Sequence, residues 1–223
     1  MTAPPHIGTL NEGSLHAALK ELYAEPGDEF EVPLDRFVID IRRDDLLIEI
    51  QTSSFAAMGS KLDALLDRFE ILLVHPIAIE SWLDRPNTKP RRSPKKGSLY
   101  SIFEELVSVP TLLDHPSLTL DVVLVSVTKH QTHDPRARRG RGGMRTRDRS
   151  LREVIETHRF HDVDDLAALL PHDLPDEFST ADIARLGSVK RDVAQRMAYC
   201  FKPLGVIEEI DRTRQGYVYR RTN

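Results

Sequence analysis

Two carboxylates stand inside apolar stretches where an ionised group is costly. Asp40 lies in Arg36-Phe37-Val38-Ile39-Asp40-Ile41-Arg42, and Glu49 lies in Asp45-Leu46-Leu47-Ile48-Glu49-Ile50-Gln51-Thr52. Both stretches are rich in β-branched and apolar residues. A polar turn at Arg43-Asp44 joins them, so the pattern predicts a β-hairpin. Side chains alternate faces along a strand. Val38, Asp40 and Arg42 therefore share one face of the first strand, and Leu47, Glu49 and Gln51 one face of the second. Ile39, Ile41, Ile48 and Ile50 take the opposite faces. A carboxylate in such a setting needs a cationic partner or a metal ion. The alternative is that both carboxylates face solvent on an exposed side of the sheet.

The flanking segments supply elements to hold this hairpin. Leu15, Ala18, Leu19 and Leu22 recur at helical spacing after Asn11 or Ser14 as a cap, and Pro26-Gly27 ends that helix. Glu12 lies at its start. Glu29 to Leu34 alternates as a strand. Phe55 to Phe69 is amphipathic at helical period, with Lys61 on it. Glu70 to Glu80 is nearly continuous in apolar residues, as a strand covered on both faces would be. A helix from Ser98 to about Leu113 and a strand over Leu120–Val127 follow the basic, Pro-rich stretch 84–97. The order predicts an α/β fold with a mixed sheet flanked by helices.

Asp134 to Ser150 carries Arg136, Arg138, Arg139, Arg141, Arg145, Arg147 and Arg149 around three glycines and reads as a flexible basic segment. It is a linker, a non-specific phosphate clamp, or a loop that orders on DNA. From about Val163 the texture changes to short helices. Ser179 to Asp182 fits a capping box, Ser188 to Phe201 reads as a helix, and Val206–Asp211 with Tyr217–Arg220 reads as a small hairpin. The expected division is 1–133, 134–161 and 162–223.

The composition sets outer limits. A chain of 223 residues can hold one medium and one small domain. Its net charge of −4 gives no overall attraction to nucleic acid, so any such attraction must be local. The single cysteine, Cys200, excludes an internal disulfide and a Cys-based zinc site, and points to a reducing cytoplasm. No apolar run is long enough to span a bilayer, and the N-terminus lacks signal-peptide features.

On the element order, on Asp40 in the second strand and on Glu49-Ile50-Gln51 ending the third, the first 130 residues resemble the PD-(D/E)XK nuclease superfamily. The resemblance implies an αβββαβ core and a divalent cation, magnesium or manganese, that assists phosphodiester hydrolysis in DNA. It assigns metal contacts to Asp40, Glu49, the Ile50 carbonyl and Glu12. Gln51 stands where the family pattern has Lys; it would orient the attacking water, and Lys61 is the candidate for the missing cation. A homodimer is expected on the same ground. The chemistry agrees with the carry-over, because magnesium takes oxygen ligands and keeps several waters.

Residues 162–221 resemble winged helix-turn-helix domains. That resemblance makes Ser188–Phe201 the recognition helix, with Ser188, Lys190, Arg191, Gln195 and Arg196 as contacts, and puts Arg212, Arg214 and Arg220 on or beside the wing. The alternative is a winged helix used for protein contacts. Other chemistries are not supported: His158, His161 and His172 lack metal-ligand spacing, no Walker-type loop is present, and no Ser–His triad is recognisable. Trp82, the only tryptophan, reads as a packing residue. The main rival to a nuclease is a non-catalytic DNA-binding protein on a degenerate nuclease fold, and a second rival is an RNA nuclease.

Overall fold

The structure is a computed structural model and describes residues 13–136, 143–214 and 216–222. Helix α1 (Ser14–Tyr23) buries Leu15 and Leu19, one helical turn apart. Strands β1 (Glu29–Leu34), β2 (Phe37–Arg43) and β3 (Leu46–Ile50) form an antiparallel meander. A 3₁₀ turn (Phe55–Ala57) and α2 (Gly59–Leu65) cross over to β4 (Glu70–Asp84), which runs parallel to β3. The two-residue β5 (Arg91–Arg92) pairs with β4. Short helical turns around α3 (Phe103–Leu106) lead to β6 (Leu118–His133), parallel to β4. Antiparallel to β6 runs β7 (Met144–Phe160). The sheet order is β1-β2-β3-β4-β6-β7, with β5 off β4. The fold is therefore α/β, a large mixed sheet flanked by helices, as the sequence pattern predicts.

Each face of the sheet has its own core. Under α1, Leu15 and Leu19 pack on Ile41, Ile48, Ile50, Val74, Val123 and Val125. The other face gathers Ile39, Leu47, Leu73, Leu120 and Val122 with residues of α2 and α3. That second core continues without a break into the C-terminal part: α4 (Val163–Ala167), α5 (Thr180–Leu186), α6 (Arg191–Phe201) and the hairpin β8 (Ile207–Thr213) and β9 (Gly216–Arg221). Phe103 of α3 and Phe201 of α6 meet edge to face with centroids 5.3 Å apart.

Several expectations need correction. The Arg-rich stretch is not a linker from residue 144 onward, because Met144–Phe160 is a 17-residue strand hydrogen-bonded along β6. Its side chains are mostly polar, so hydrophobic period gave no sign of it; the backbone ladder to β6 makes it a strand. At the turn, Gly143 has φ +71°, and an added Cβ would lie 2.9 Å from the His133 ring. The single helix expected over Phe55–Phe69 is a 3₁₀ turn and a seven-residue helix, and the one over Ser98–Leu113 is split into three short turns. In the latter, Pro110 has no N–H to continue a helix. Helix α6 begins at Arg191 rather than Ser188, whose φ of 51° is not helical. The capping box at Ser179 and Asp182 forms as expected.

Candidate active site

The two carboxylates come together where β2 leaves β3. The last paired residues of that ladder are Ile41 and Ile48. Beyond them the Asp40 side chain replaces a backbone partner: Oδ2 accepts the Ile50 N–H at 2.8 Å. This local break also corrects the expected alternation, since Ile39 joins one core and Ile41 the other. A cleft of about 490 Å³ opens there, lined by Asp40, Glu49, Ile50, Gln51 and Lys61, with Gly13 and His16 from the start of α1. Sequence reading placed the first five in one site. It missed His16, whose Nε2 lies 3.2 Å from Asp40 Oδ2. A His on a predicted helix facing a strand acid leaves no trace in spacing. Glu12 lies outside the described residues.

Glu49 is buried, and Lys61 Nζ lies 2.5 Å from its Oε1 as an ion pair. The same ammonium donates to the Val38 carbonyl at 2.6 Å. The Lys61 ammonium is therefore the charge-assisted partner of the buried Glu49 Oε1. Lys61 reaches the cleft from α2.

The two acids differ in electrostatics. Burial works against the Asp40 anion, but the His16 hydrogen bond and charge, the Ile50 amide and Lys61 outweigh it and hold the carboxyl below the usual range. For Glu49 burial dominates; it is opposed by Lys61 and reinforced by the Asp40 charge, and the carboxyl is pushed up to about 7. Gln51 is fixed at both ends. Its Nε2 donates to the Ser54 carbonyl at 2.7 Å, and its own carbonyl lies 2.7 Å from His75 Nδ1. Burial lowers the His75 pKa, so the ring is a neutral support behind Gln51.

Among the described residues, no group of three His, Cys, Asp or Glu side chains is arranged to hold a metal. The oxygens in place for a hard cation are those of Asp40 and Glu49, the latter in contact with Lys61.

The residues expected to touch DNA are dispersed. Arg145 lies exposed on β7, where it and Arg147 face the buried Asp134 at 3.3 and 3.4 Å. Arg136 lies exposed beyond the end of β6. Arg138, Arg139 and Arg141 lie outside the described residues. Lys190 caps α6, and Arg191 and Gln195 are exposed on it. Arg196 is half-buried and paired with Asp192 at 3.2 Å. Arg214 is exposed at the β8–β9 turn. A second, shallow cleft of about 450 Å³ lies between Val107 and Asp192, Gln195, Arg196 and Tyr199. It contains no buried ionisable group, unlike the cleft at Asp40 and Glu49.

Residues 13–161 match the model of a family described as "Domain of unknown function (DUF8091)", and the chain belongs to that family. The match spans α1 to the end of β7 and so contains the whole cleft. An uncharacterized protein of Treponema pallidum (strain Nichols) is 31% identical over 188 residues, covering 82% of this chain and 75% of that protein. No solved structure matches the chain. Among the described residues, no helix is long and apolar enough to cross a membrane.

Proposed function

We propose that the chain is a divalent-metal-dependent endonuclease that hydrolyses phosphodiester bonds in DNA. The observation that carries this reading is the pairing of Asp40 and Glu49 in one cleft, one carboxyl held below its usual range and the other buried beside Lys61 with its pKa raised. Asp40 and Glu49 would hold magnesium or manganese, with the Ile50 carbonyl and Glu12 as further contacts. The bound cation would supply Lewis-acid polarisation of the phosphate and a hydroxide nucleophile at neutral pH.

This chain's own groups account for the rest. His16 and the Ile50 amide fix the Asp40 carboxylate in one orientation. Lys61 offsets the charge of the buried Glu49 and is close enough to neutralise an incoming phosphate. Gln51, held by Ser54 and His75, presents its carboxamide at the cleft to orient water. The C-terminal helices and hairpin follow the element order of a winged helix, and we take them as that fold.

A second reading has its own support. Lys61 and His16 already pair with the two acids, and Glu31, a third carboxylate lining the cleft, is paired with Lys20 and does not complete a metal-holding group among the described residues. On that reading the chain binds DNA without cutting it. Supercoiled plasmid incubated with magnesium or manganese separates the two. Nicking by wild type that disappears in both Asp40→Ala and Glu49→Ala supports the nuclease. Intact plasmid alongside a retained gel shift removes it in favour of the non-catalytic binder.

A further inference from the structure

We infer that duplex DNA is held by a basic arm of the sheet, made of the outer parts of β4, β6 and β7 with β5, and not by helix α6. The choice of DNA as ligand rests on the nuclease reading; the choice of surface rests on charge and geometry.

Residues 80–97, 127–136 and 143–152 carry twelve Lys and Arg against four Asp and Glu. Residues 162–222 carry nine against eleven. The chain as a whole is acidic, so the arm is a local cationic field on an anionic body. Cations of both parts face carboxylates: Arg92, Arg145 and Arg147 on the arm, and Arg185, Arg196, Lys202 and Arg220 in the C-terminal part. The arm differs in its excess of cations over carboxylates, and Arg91 and Arg149 on it are exposed and make no ion pair with the described residues.

Sheet register arranges the arm's cations on both faces. Arg91, Leu83, Lys129 and Arg149 are successive cross-strand neighbours, and such neighbours share a face. The bulge in β7 near His130 and Gln131 shifts the next arginines. Arg145 and Arg147 turn to the other face, toward Thr132 and Asp134. Arg152 is on that face too, 4.9 Å from the Trp82 ring. Beyond Asp84 only β6 and β7 continue, as a two-stranded ribbon. The major groove of B-form DNA is about 12 Å wide and admits such a ribbon between two phosphate walls. Arg145 and Arg147 lie on that ribbon, and Arg91, Lys129 and Arg149 stand at its base, level with Leu83. The deep, narrow major groove of A-form RNA does not admit the ribbon.

The arm is tied to the cleft. Ser14, at the start of α1, donates its backbone N–H to Asp148 Oδ1 at 3.1 Å, and its hydroxyl bonds the other oxygen. Gly13 and His16 beside it line the cleft. A duplex seated on the arm is thereby brought to Asp40 and Glu49.

The test is fluorescence anisotropy of the full chain with a labelled duplex DNA in EDTA, over a series of salt concentrations. Removing one cation from a phosphate lowers the slope of log affinity against log salt by about 0.9. The triple variant Arg91→Gln, Arg145→Gln, Arg149→Gln keeps Arg147 on Asp134; it is expected to lose about 2–3 in slope and roughly tenfold or more in affinity at moderate salt. Lys190→Gln with Arg191→Gln is expected to change affinity by less than about twofold. Equal losses in the two variants, or a larger loss in the α6 variant, overturn the proposal. So does equal affinity of wild type for duplex RNA. Melting curves check the fold, and if the triple variant does not melt cooperatively, Arg149→Gln alone, with its decrement of about 1, decides. EDTA makes the result independent of cleavage: plasmid nicking tests the cleft, and anisotropy tests the arm.

Discussion

Two buried carboxylates of the same sheet have opposite surroundings. Asp121, at the start of β6, is 1% exposed, and Glu49, near the end of β3, is 6% exposed. Asp121 is fully satisfied: Arg159 donates from Nε and a terminal nitrogen at 2.7 and 2.8 Å, and the Tyr23 hydroxyl donates at 2.9 Å. These bonds fasten α1 and β7 to β6, one on a face and one along an edge. Glu49 has one cation beside it, Lys61, and a raised pKa. An acid held by three donors fastens elements together, whereas one with a single partner at a cleft is available to a ligand.

Mutation should separate the two roles, and the largest effect falls on the satisfied acid. Asp121→Ala removes the acceptor of the Tyr23 hydroxyl and unpairs Arg159, whose side chain is 51% exposed and can rehydrate. The expected loss is about 2–3 kcal/mol, or roughly 5–10 °C in melting temperature. Urea or thermal melts measure it.

Glu49→Gln should act in the other direction in metal-free protein. A carboxyl raised to about 7 in the fold binds its proton more tightly there than in the unfolded chain. Its contribution to stability therefore falls as pH rises from the ordinary carboxyl range through 7. At pH 8 the variant should be more stable than wild type by roughly 1–2 kcal/mol, after allowance for the unpaired Lys61, and the gain should vanish near pH 4–5. Melts across pH 4–8 decide; a variant less stable than wild type at pH 8 would mean that Lys61 fully stabilises the buried anion.

How far these roles were legible depends on where each acid's partners lie. Asp40 and Glu49 are visible because each interrupts an apolar strand within a few residues of the other. Asp121, in Leu120-Asp121-Val122, has the same local signature. Its partners are 38 and 98 residues away, so sequence alone cannot tell a fastened acid from an available one. The two buried faces of the sheet were readable from apolar period, and the α5 cap from its residues. The strand β7 was not, because its hydrogen bonds are to β6 and its side chains carry no hydrophobic period. His16 was missed for the reason that hides most site residues: a helix and a strand meet only in the fold.

The contrast between the acids also predicts a response to metal. Magnesium or manganese at about ten times its dissociation constant should stabilise wild type by roughly 1.4 kcal/mol at pH 8, and EDTA should reverse the shift. Asp121 is buried with both oxygens already hydrogen-bonded to Arg159 and Tyr23, away from the cleft, so Asp121→Asn should keep the shift on its lowered baseline. Glu49→Gln should lose it. A metal shift that survives in Glu49→Gln would place the cation elsewhere.

The smallest stability effect sharpens the comparison most, because it uses two arginines of one strand. Arg159 and Arg149 both project from β7, but Arg159 grips a buried carboxylate and Arg149 has no ion-pair partner among the described residues. Arg159→Gln should cost about 1–2 kcal/mol, since it removes a charged hydrogen-bond pair from Asp121. Arg149→Gln should stay within about 0.5 kcal/mol, as an exposed substitution away from any network does. In DNA binding the order should invert: Arg149→Gln weakens affinity and flattens the salt slope, and Arg159→Gln does neither. If both substitutions weakened DNA binding equally, the basic field would be diffuse along β7 rather than concentrated on its outer half. Equal stability losses would instead show that the outer half of β7 is held by its arginines and not by its backbone ladder.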